Sequence, residues 1–170
     1  HWLIDDSYGL ARESLDLRAL TKLPGQHNHE NICAAYLCAR ALGLAPSLIV
    51  KALASFPGLA HRQEKIATIG GIAYINDSKA TNADAAAKAL ACYNPIYWIV
   101  GGRAKEGWLA GLEPYFPRIR HAFLIGECAV DFARMIGTAF PVTQCGTLAR
   151  AVAEAHHLSQ QDQIKHGHRD

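Results

Sequence analysis

Between residues 63 and 157, apolar runs of strand length take turns with segments of helical character, and this alternation narrows the possible folds more than any other feature. QEKIATIGGIAYIND (63–77) has two apolar-rich arms around Gly70-Gly71, the pattern of a β-hairpin. The expected elements that follow are an Ala-rich helix (83–92), strand IYWIV (96–100), a helix near 107–115, strand HAFLI (121–125), a helix near 128–136, a weak strand at PVT (141–143) and a helix over 147–157. Strands joined through helices at this spacing build an α/β fold: a Rossmann-like, mostly parallel sheet with helices on both faces. Ligands of such sheets gather at the carboxyl ends of the strands. The polar stretch SQQDQIKHGHRD (159–170) reads as a frayed tail.

The residues before this alternation are organised differently. His1 to Leu23 read as short strands and loops with no core of their own. A helix with Ile32, Ala35, Ala39 and Leu42 at helical spacing follows, with Gly43 as its stop. Pro46 opens a second helix through Leu53, and FPGL (56–59) breaks it, so a domain boundary is expected there, dividing 1–57 from 58–170.

Composition excludes several classes of function. A net charge of +2 with scattered Lys and Arg offers no basic face for nucleic acid. Five cysteines without a C-x-x-C pair indicate neither a disulfide framework nor a zinc knuckle. No apolar run reaches the roughly 18 residues of a membrane span. The first residues, HWLIDDSYGLARES, lack the order of a signal peptide, so a soluble, cytoplasmic protein is expected. The abrupt start at Trp2, without an initiating Met, reads as that of a fragment.

Three polar clusters sit where the sheet rule puts a site. In NDSKATN (76–82), Asn82 or Thr81 suits a helix cap and Asp77 suits loop N–H groups, but Lys79 is poorly explained. A cation near a helix N-terminus opposes the helix dipole unless an anion shares the site. In IYWIVGGRAKEG (96–107), an apolar strand runs into Gly101-Gly102, then Arg103 and Lys105. The cations suit a carboxylate or phosphate, although a Gly-Gly turn is equally common without a ligand. The third cluster pairs LPGQHNHEN (23–31) with LAHRQE (59–64). Asn28 and Asn31 share one face of a first helical turn, where an adenine edge or a neighbouring loop could be read, and Arg62 alone is an ordinary surface charge. His27, His29 and Glu30 superficially resemble metal ligands, but no second ligand cluster of matching spacing appears, so no metal site is expected.

Taken in order, LPGQHNHEN-x-x-AA, FPGLAHRQE, GIAYINDSKATN and WIVGGRAKEG resemble the MurD family, the UDP-N-acetylmuramoyl-L-alanine:D-glutamate ligases of peptidoglycan synthesis. The resemblance covers residues 23 to about 130, and NDSKATN is its most specific part. It implies an ATP- and Mg²⁺-dependent amide ligase that activates a carboxylate as an acyl phosphate for attack by the amine of D-glutamate. Residues matching the family's nucleotide contacts are Asn28 and Asn31 near adenine, Arg62 at phosphate and Asp77 at ribose. Lys79 matches a catalytic position, and Thr81 and Lys105 match positions that hold D-glutamate. By the same resemblance, residues 1–57 correspond to the end of the central ATP-binding domain and 58–170 to the C-terminal domain. The implied partners of the full enzyme, expected to be a monomer, are ATP, D-glutamate and UDP-N-acetylmuramoyl-L-alanine, with neither nucleic acid nor membrane.

Two departures matter. No G-x-x-x-x-G-K-[ST] loop occurs in the chain, and the family's Mg²⁺-binding region belongs to the central domain, so the chain alone is expected to be inactive. After 147–157 the family continues with an apolar strand and a segment resembling LLSPACASFDQF, whereas this chain reads HHLSQQDQIKHGHRD. Ser159 therefore does not equate with the family's serine, and an incomplete amino-acid subsite is expected. The alternative reading is a non-catalytic Rossmann-like module that binds a nucleotide or a carboxylate. A dinucleotide oxidoreductase would need G-x-G-x-x-G, which is absent.

Overall fold

The structure, a computed structural model, describes residues 1–6, 13–102 and 109–166. It divides into two compact units, His1–Glu64 and Lys65–Asp170. In the first, β1 (Trp2–Asp5) pairs antiparallel with β2 (Glu13–Asp16), placing Leu3 opposite Leu15. A 3₁₀ turn, Leu17–Ala19, leads to α1 (Gln26–Ala41) and α2 (Pro46–Ser55). Leu3, Leu17 and Leu20 pack with Ile32, Tyr36 and Ile49, so the first strands share the helices' core and have none of their own.

The inward face of α1 differs from the expected one. Ile32 and Tyr36 are buried with Cys33 and Ala39 beside them, while Ala35 and Leu42 are exposed. Tyr36 decides the rotation, because its hydroxyl donates to Asp5 Oδ2 at 2.9 Å and holds that side of α1 against β1. Arg40 Nε donates to the same oxygen at 2.9 Å, and both charged side chains are largely shielded from water. Gly43 does stop the helix. With φ at 83°, it lets Leu44 N–H reach Ala39 O and Gly43 N–H reach Arg40 O, which satisfies two otherwise orphaned carbonyls.

In the second unit β3 (Glu64–Ile69) and β4 (Ile72–Asn76) form a two-stranded sheet. Gly70 and Gly71, at φ 56° and 79°, supply the two left-handed positions of a tight hairpin turn. α3 (Ala83–Leu90) then leads to β5 (Ile96–Gly101), β6 (Ile119–Ile125), α4 (Ala129–Ile136), β7 (Val142–Gly146) and α5 (Leu148–His166). β5, β6 and β7 form a three-stranded parallel sheet in that order. Period-two alternation sorts its side chains. Ile96, Trp98, Val100, Ala122 and Leu124 face the core shared with α3 and α4, whereas Tyr97, Ile99, Phe123 and Ile125 pack with Ala151, Ala155 and Leu158 of α5. The expected α/β class with helices on both faces is the observed one.

Two expected elements are different. In place of a helix near 107–115, the described part is a turn at 109–111 followed by a 3₁₀ helix, Glu113–Arg118. Pro114 and Pro117 explain it, since each lacks an N–H and crowds the preceding turn of an α-helix. The second correction is to the tail, which is helical through His166. Its polar sequence has no apolar stripe, and tertiary contacts hold it. Leu158 packs on the sheet, Ser159 is buried with Oγ donating to His156 O at 2.9 Å, and Tyr97 donates to Asp162 Oδ2 at 2.5 Å. Burial and that carboxylate keep the Tyr97 phenol protonated well above its ordinary range. Among the described residues no helix is long and apolar enough to cross a membrane.

Candidate binding and catalytic elements

The cluster at 23–31 and the one at 59–64 come together within the first unit. Gln63 Nε2 lies 3.4 Å from His27 Nε2, which sets the turn carrying Arg62 against the first turn of α1. Arg62 closes a tight turn, its N–H donating to Leu59 O at 3.2 Å. The residues on either side, His61 and Gln63, have φ of 63° and 47°. Left-handed backbone costs a side-chain-bearing residue about 1–2 kcal/mol, and such positions concentrate where geometry serves a ligand. The turn presents Arg62 exposed to solvent. Asn28 is partly spoken for: its Nδ2 donates to Pro24 O at 2.8 Å and helps start α1 beyond Gly25. Asn31, one turn on, is exposed.

The second unit carries Asp77, Lys79 and Thr81. Both capping expectations bear on this loop. Asn82 Oδ1 accepts from Ala85 N–H at 2.8 Å and caps α3, and Asn76 Oδ1 accepts from Ser78 N–H at 3.1 Å. Asn82 rather than Thr81 is therefore the cap, and Asn76 shapes the turn that follows β4. Lys79 and Thr81 are exposed, and Lys79 joins none of the ion pairs of the described residues. Among the described residues no ion pair offsets Lys79 beside the start of α3, although Asp84 lies in that helix's first turn.

Asp77 is half-buried, and its charge reaches the phenol of Tyr93. Burial, then Cys92, then Asp77 push that phenol up to about 12. Because the folded value lies above the ordinary one near 10, stability linked to Tyr93 is whole below about pH 10 and is lost as pH rises toward 12. A tyrosinate titration followed in the ultraviolet is expected to show Tyr93 ionising late, and Asp77→Asn is expected to bring it part of the way back. An unchanged Tyr93 in Asp77→Asn would remove Asp77 from its neighbourhood.

The carboxyl ends of the three parallel strands all pass into glycine. Gly102, Gly126 and Gly146 take φ of 125°, 74° and 75°, and Gly126 N–H donates to Gly146 O at 3.3 Å. This edge carries no side chain at those positions, which leaves backbone open to a ligand. Arg103 and Lys105 follow β5 directly but lie outside the described residues. Sequence reasoning missed the strained flanks of Arg62, since neither histidine nor glutamine announces a positive φ. Among the described residues no group of three His, Cys, Asp or Glu side chains gathers as a metal site. Within the first unit, Asn28, Asn31 and Arg62 offer amide edges and a guanidinium; within the second, Asp77 offers a half-buried carboxylate.

No protein-family model matches the chain. Individual relatives do. The chain is 54% identical over 154 residues, 91% of its length, to a UDP-N-acetylmuramoylalanine--D-glutamate ligase of Paramagnetospirillum magneticum. It is 51% identical over 95% of its length to the protein of that name from Rhodospirillum rubrum, and 49% identical over 92% to one from Cereibacter sphaeroides. It spans only about a third of each relative, 34%, 34% and 33% respectively. At such identity over nearly all of its residues, the chain belongs to the UDP-N-acetylmuramoylalanine--D-glutamate ligase family, of which it represents the C-terminal portion.

Proposed function

We propose that this chain supplies part of the nucleotide site and part of the amino-acid site of a ligase that joins D-glutamate to UDP-N-acetylmuramoyl-L-alanine at the expense of ATP. The observation that carries this reading is Lys79: exposed, outside every ion pair of the described residues, and three residues before the cap of α3. A cation so placed is stabilised when an anionic substrate arrives. In the proposed reaction a substrate carboxylate oxygen attacks the terminal phosphorus of ATP, and ADP leaves. The D-glutamate amine then attacks the acyl carbon, and the amide forms with loss of phosphate and a proton.

The demand on the protein is orientation and neutralisation of concentrated negative charge. Asn28 and Asn31 offer amide edges to adenine, Arg62 a guanidinium to phosphate, and Asp77 an acceptor to a ribose hydroxyl. Lys79 neutralises charge at the reacting centre, while Thr81 and Lys105 hold the D-glutamate carboxylates. Mg²⁺, which would draw charge from the phosphates, is assigned to the central domain of the family. ATP as co-substrate places the reaction in the cytoplasm, and a monomer suffices for it. The chain alone is expected to form no amide.

Calorimetric titration of ATP and of D-glutamate into the chain tests the assignment. Weak binding is expected, because each pocket is incomplete. Asp77→Ala should weaken ATP, and Thr81→Ala and Lys105→Ala should weaken D-glutamate, each by about tenfold or more, the scale of a charge-assisted hydrogen bond. Equal affinity in wild type and all three variants would contradict the roles given to them.

A further inference from the structure

The hairpin that launches the loop 76–82 shares no strand pairing with the parallel sheet of its own unit, since β3 and β4 pair only with each other. Something else must fix where that loop points. α5 touches the hairpin, from the helix's middle to near its C-terminal end. The Tyr74 hydroxyl is hydrogen-bonded to His156 Nδ1, with the two rings 6.1 Å apart. Gln163 Nε2 lies 3.4 Å from where a Cβ on Gly71 would stand, so its side chain covers that glycine.

The spacings agree. His156 and Gln163 are seven residues apart, two turns on one stripe of the helix, or about 10 Å of rise. Gly71, in the turn just before β4, and Tyr74, at the middle of that strand, are three apart, also about 10 Å. α5 therefore runs antiparallel alongside β4 and meets it at the hairpin turn and at mid-strand. A neighbouring stripe of the same helix, Ala151, Ala155, Leu158 and Asp162, faces the parallel sheet through Phe123, Ile99 and the Tyr97 hydroxyl. One helix thus holds the sheet with one stripe and the hairpin with the next.

We propose that His156, Tyr74 and Gln163 are positioning residues: the stretch of α5 from His156 to Gln163 is a clasp that sets the hairpin, and with it Asp77, Lys79 and Thr81, relative to the parallel sheet. They act through β4, whose last residue, Asn76, begins the loop. The importance of the clasp for ligand binding rests on the role given to the loop above, whereas its structural content does not.

The test is hydrogen exchange on the whole chain, read separately for the hairpin and loop (64–82) and for β5, β6 and β7. Tyr74→Phe and His156→Leu each remove one hydrogen bond, and each should speed exchange in 64–82 by about three- to tenfold, the equivalent of one net hydrogen bond. Exchange in β5–β7 should stay within about twofold, because those amides open only with the whole unit. His156→Asn, which keeps a polar atom near the place of Nδ1, should restore wild-type exchange. No change in 64–82, equal acceleration in both regions, or an Asn variant behaving like the Leu variant would each overturn the clasp. Should His156→Leu fail to fold, Tyr74→Phe, which loses a single oxygen, decides the matter. An ATP and D-glutamate titration beside the exchange separates the two ideas: a loosened hairpin in a chain that binds neither ligand keeps the clasp and discards the loop's binding role.

Discussion

Gly101→Ala is expected to unfold the second unit at temperatures where the wild-type chain is intact. A Cβ at Gly101 would stand 2.0 Å from the Ile125 carbonyl oxygen and 2.8 Å from its carbon. These are backbone atoms of the strand paired with β5, so no side-chain rotation relieves the clash. β5 and β6 would have to part at their carboxyl ends, where Val100 and Leu124 are buried. We expect a loss of about 3 kcal/mol or more, the upper range for overpacking, and a melting temperature lower by on the order of 10 °C or more. Gly102→Ala separates this cause from backbone conformation. Gly102 has φ of 125° and nothing within 4 Å of its would-be Cβ, so only conformational strain applies. Its loss should be about 1–2 kcal/mol. Equal melting temperatures for the two variants would mean that the close approach of β5 and β6 is not what requires glycine.

Arg40→Met is the second large effect, and it falls on the first unit. Asp5 is only 7% exposed in its side chain, and Arg40 is 15% exposed, so water screens their 2.9 Å contact poorly. Removing the guanidinium while leaving the carboxylate buried costs about 3–5 kcal/mol. The first unit has a small core of six buried residues, and small cores leave little margin. Amides of α1 and β1 should therefore lose protection in Arg40→Met while those of β6 keep theirs. Arg40→Met with Asp5→Asn should recover much of the loss, since the stranded charge is gone. A double variant as unstable as the single one would place the effect in packing rather than in the buried charge.

What could be read from the sequence follows from where the determining forces are local. Gly70-Gly71, the alternating arms around it, Asn82 before an Ala-rich run, and IYWIV between two turns each carry their own signal, and β4, α3 and β5 fall where expected. The misreadings lie where a distant partner decides. SQQDQIK lacks an apolar stripe to mark a buried helix, but Tyr97, 65 residues from Asp162, holds it along with Leu158's packing, and α5 runs to His166. α1 turns Tyr36 inward because Asp5 is there to receive its hydroxyl. Leu42 reads as a core position by spacing, but it sits where the helix ends and the chain departs. Pro114 and Pro117, by contrast, were local signals outweighed by periodicity, and they win at Glu113–Arg118.

The candidate site shows the same division. NDSKATN was legible as a polar loop at a strand-to-helix turn, including a cation that capping does not explain. The meeting of Arg62's turn with the first turn of α1 was not, because the link is a Gln63–His27 contact between side chains 36 positions apart. Nor was the bare glycine edge across three strands, which exists only once β5, β6 and β7 are laid side by side.

The central claim is that the loop leaving the hairpin works on substrate in a D-glutamate-adding ligase. It is tested most directly by placing residues 23–157 of this chain in the frame of the Rhodospirillum rubrum ligase, which is 51% identical to it, and keeping that enzyme's own sequence on both sides. Measured by D-glutamate-dependent release of phosphate, the chimera should turn over. Lys79→Ala should lower kcat by about a hundredfold or more, the scale of one lost electrostatic contact to a reacting centre, while Ser78→Ala in the same loop stays within about threefold. A folded chimera whose turnover is indifferent to Lys79→Ala would contradict the account.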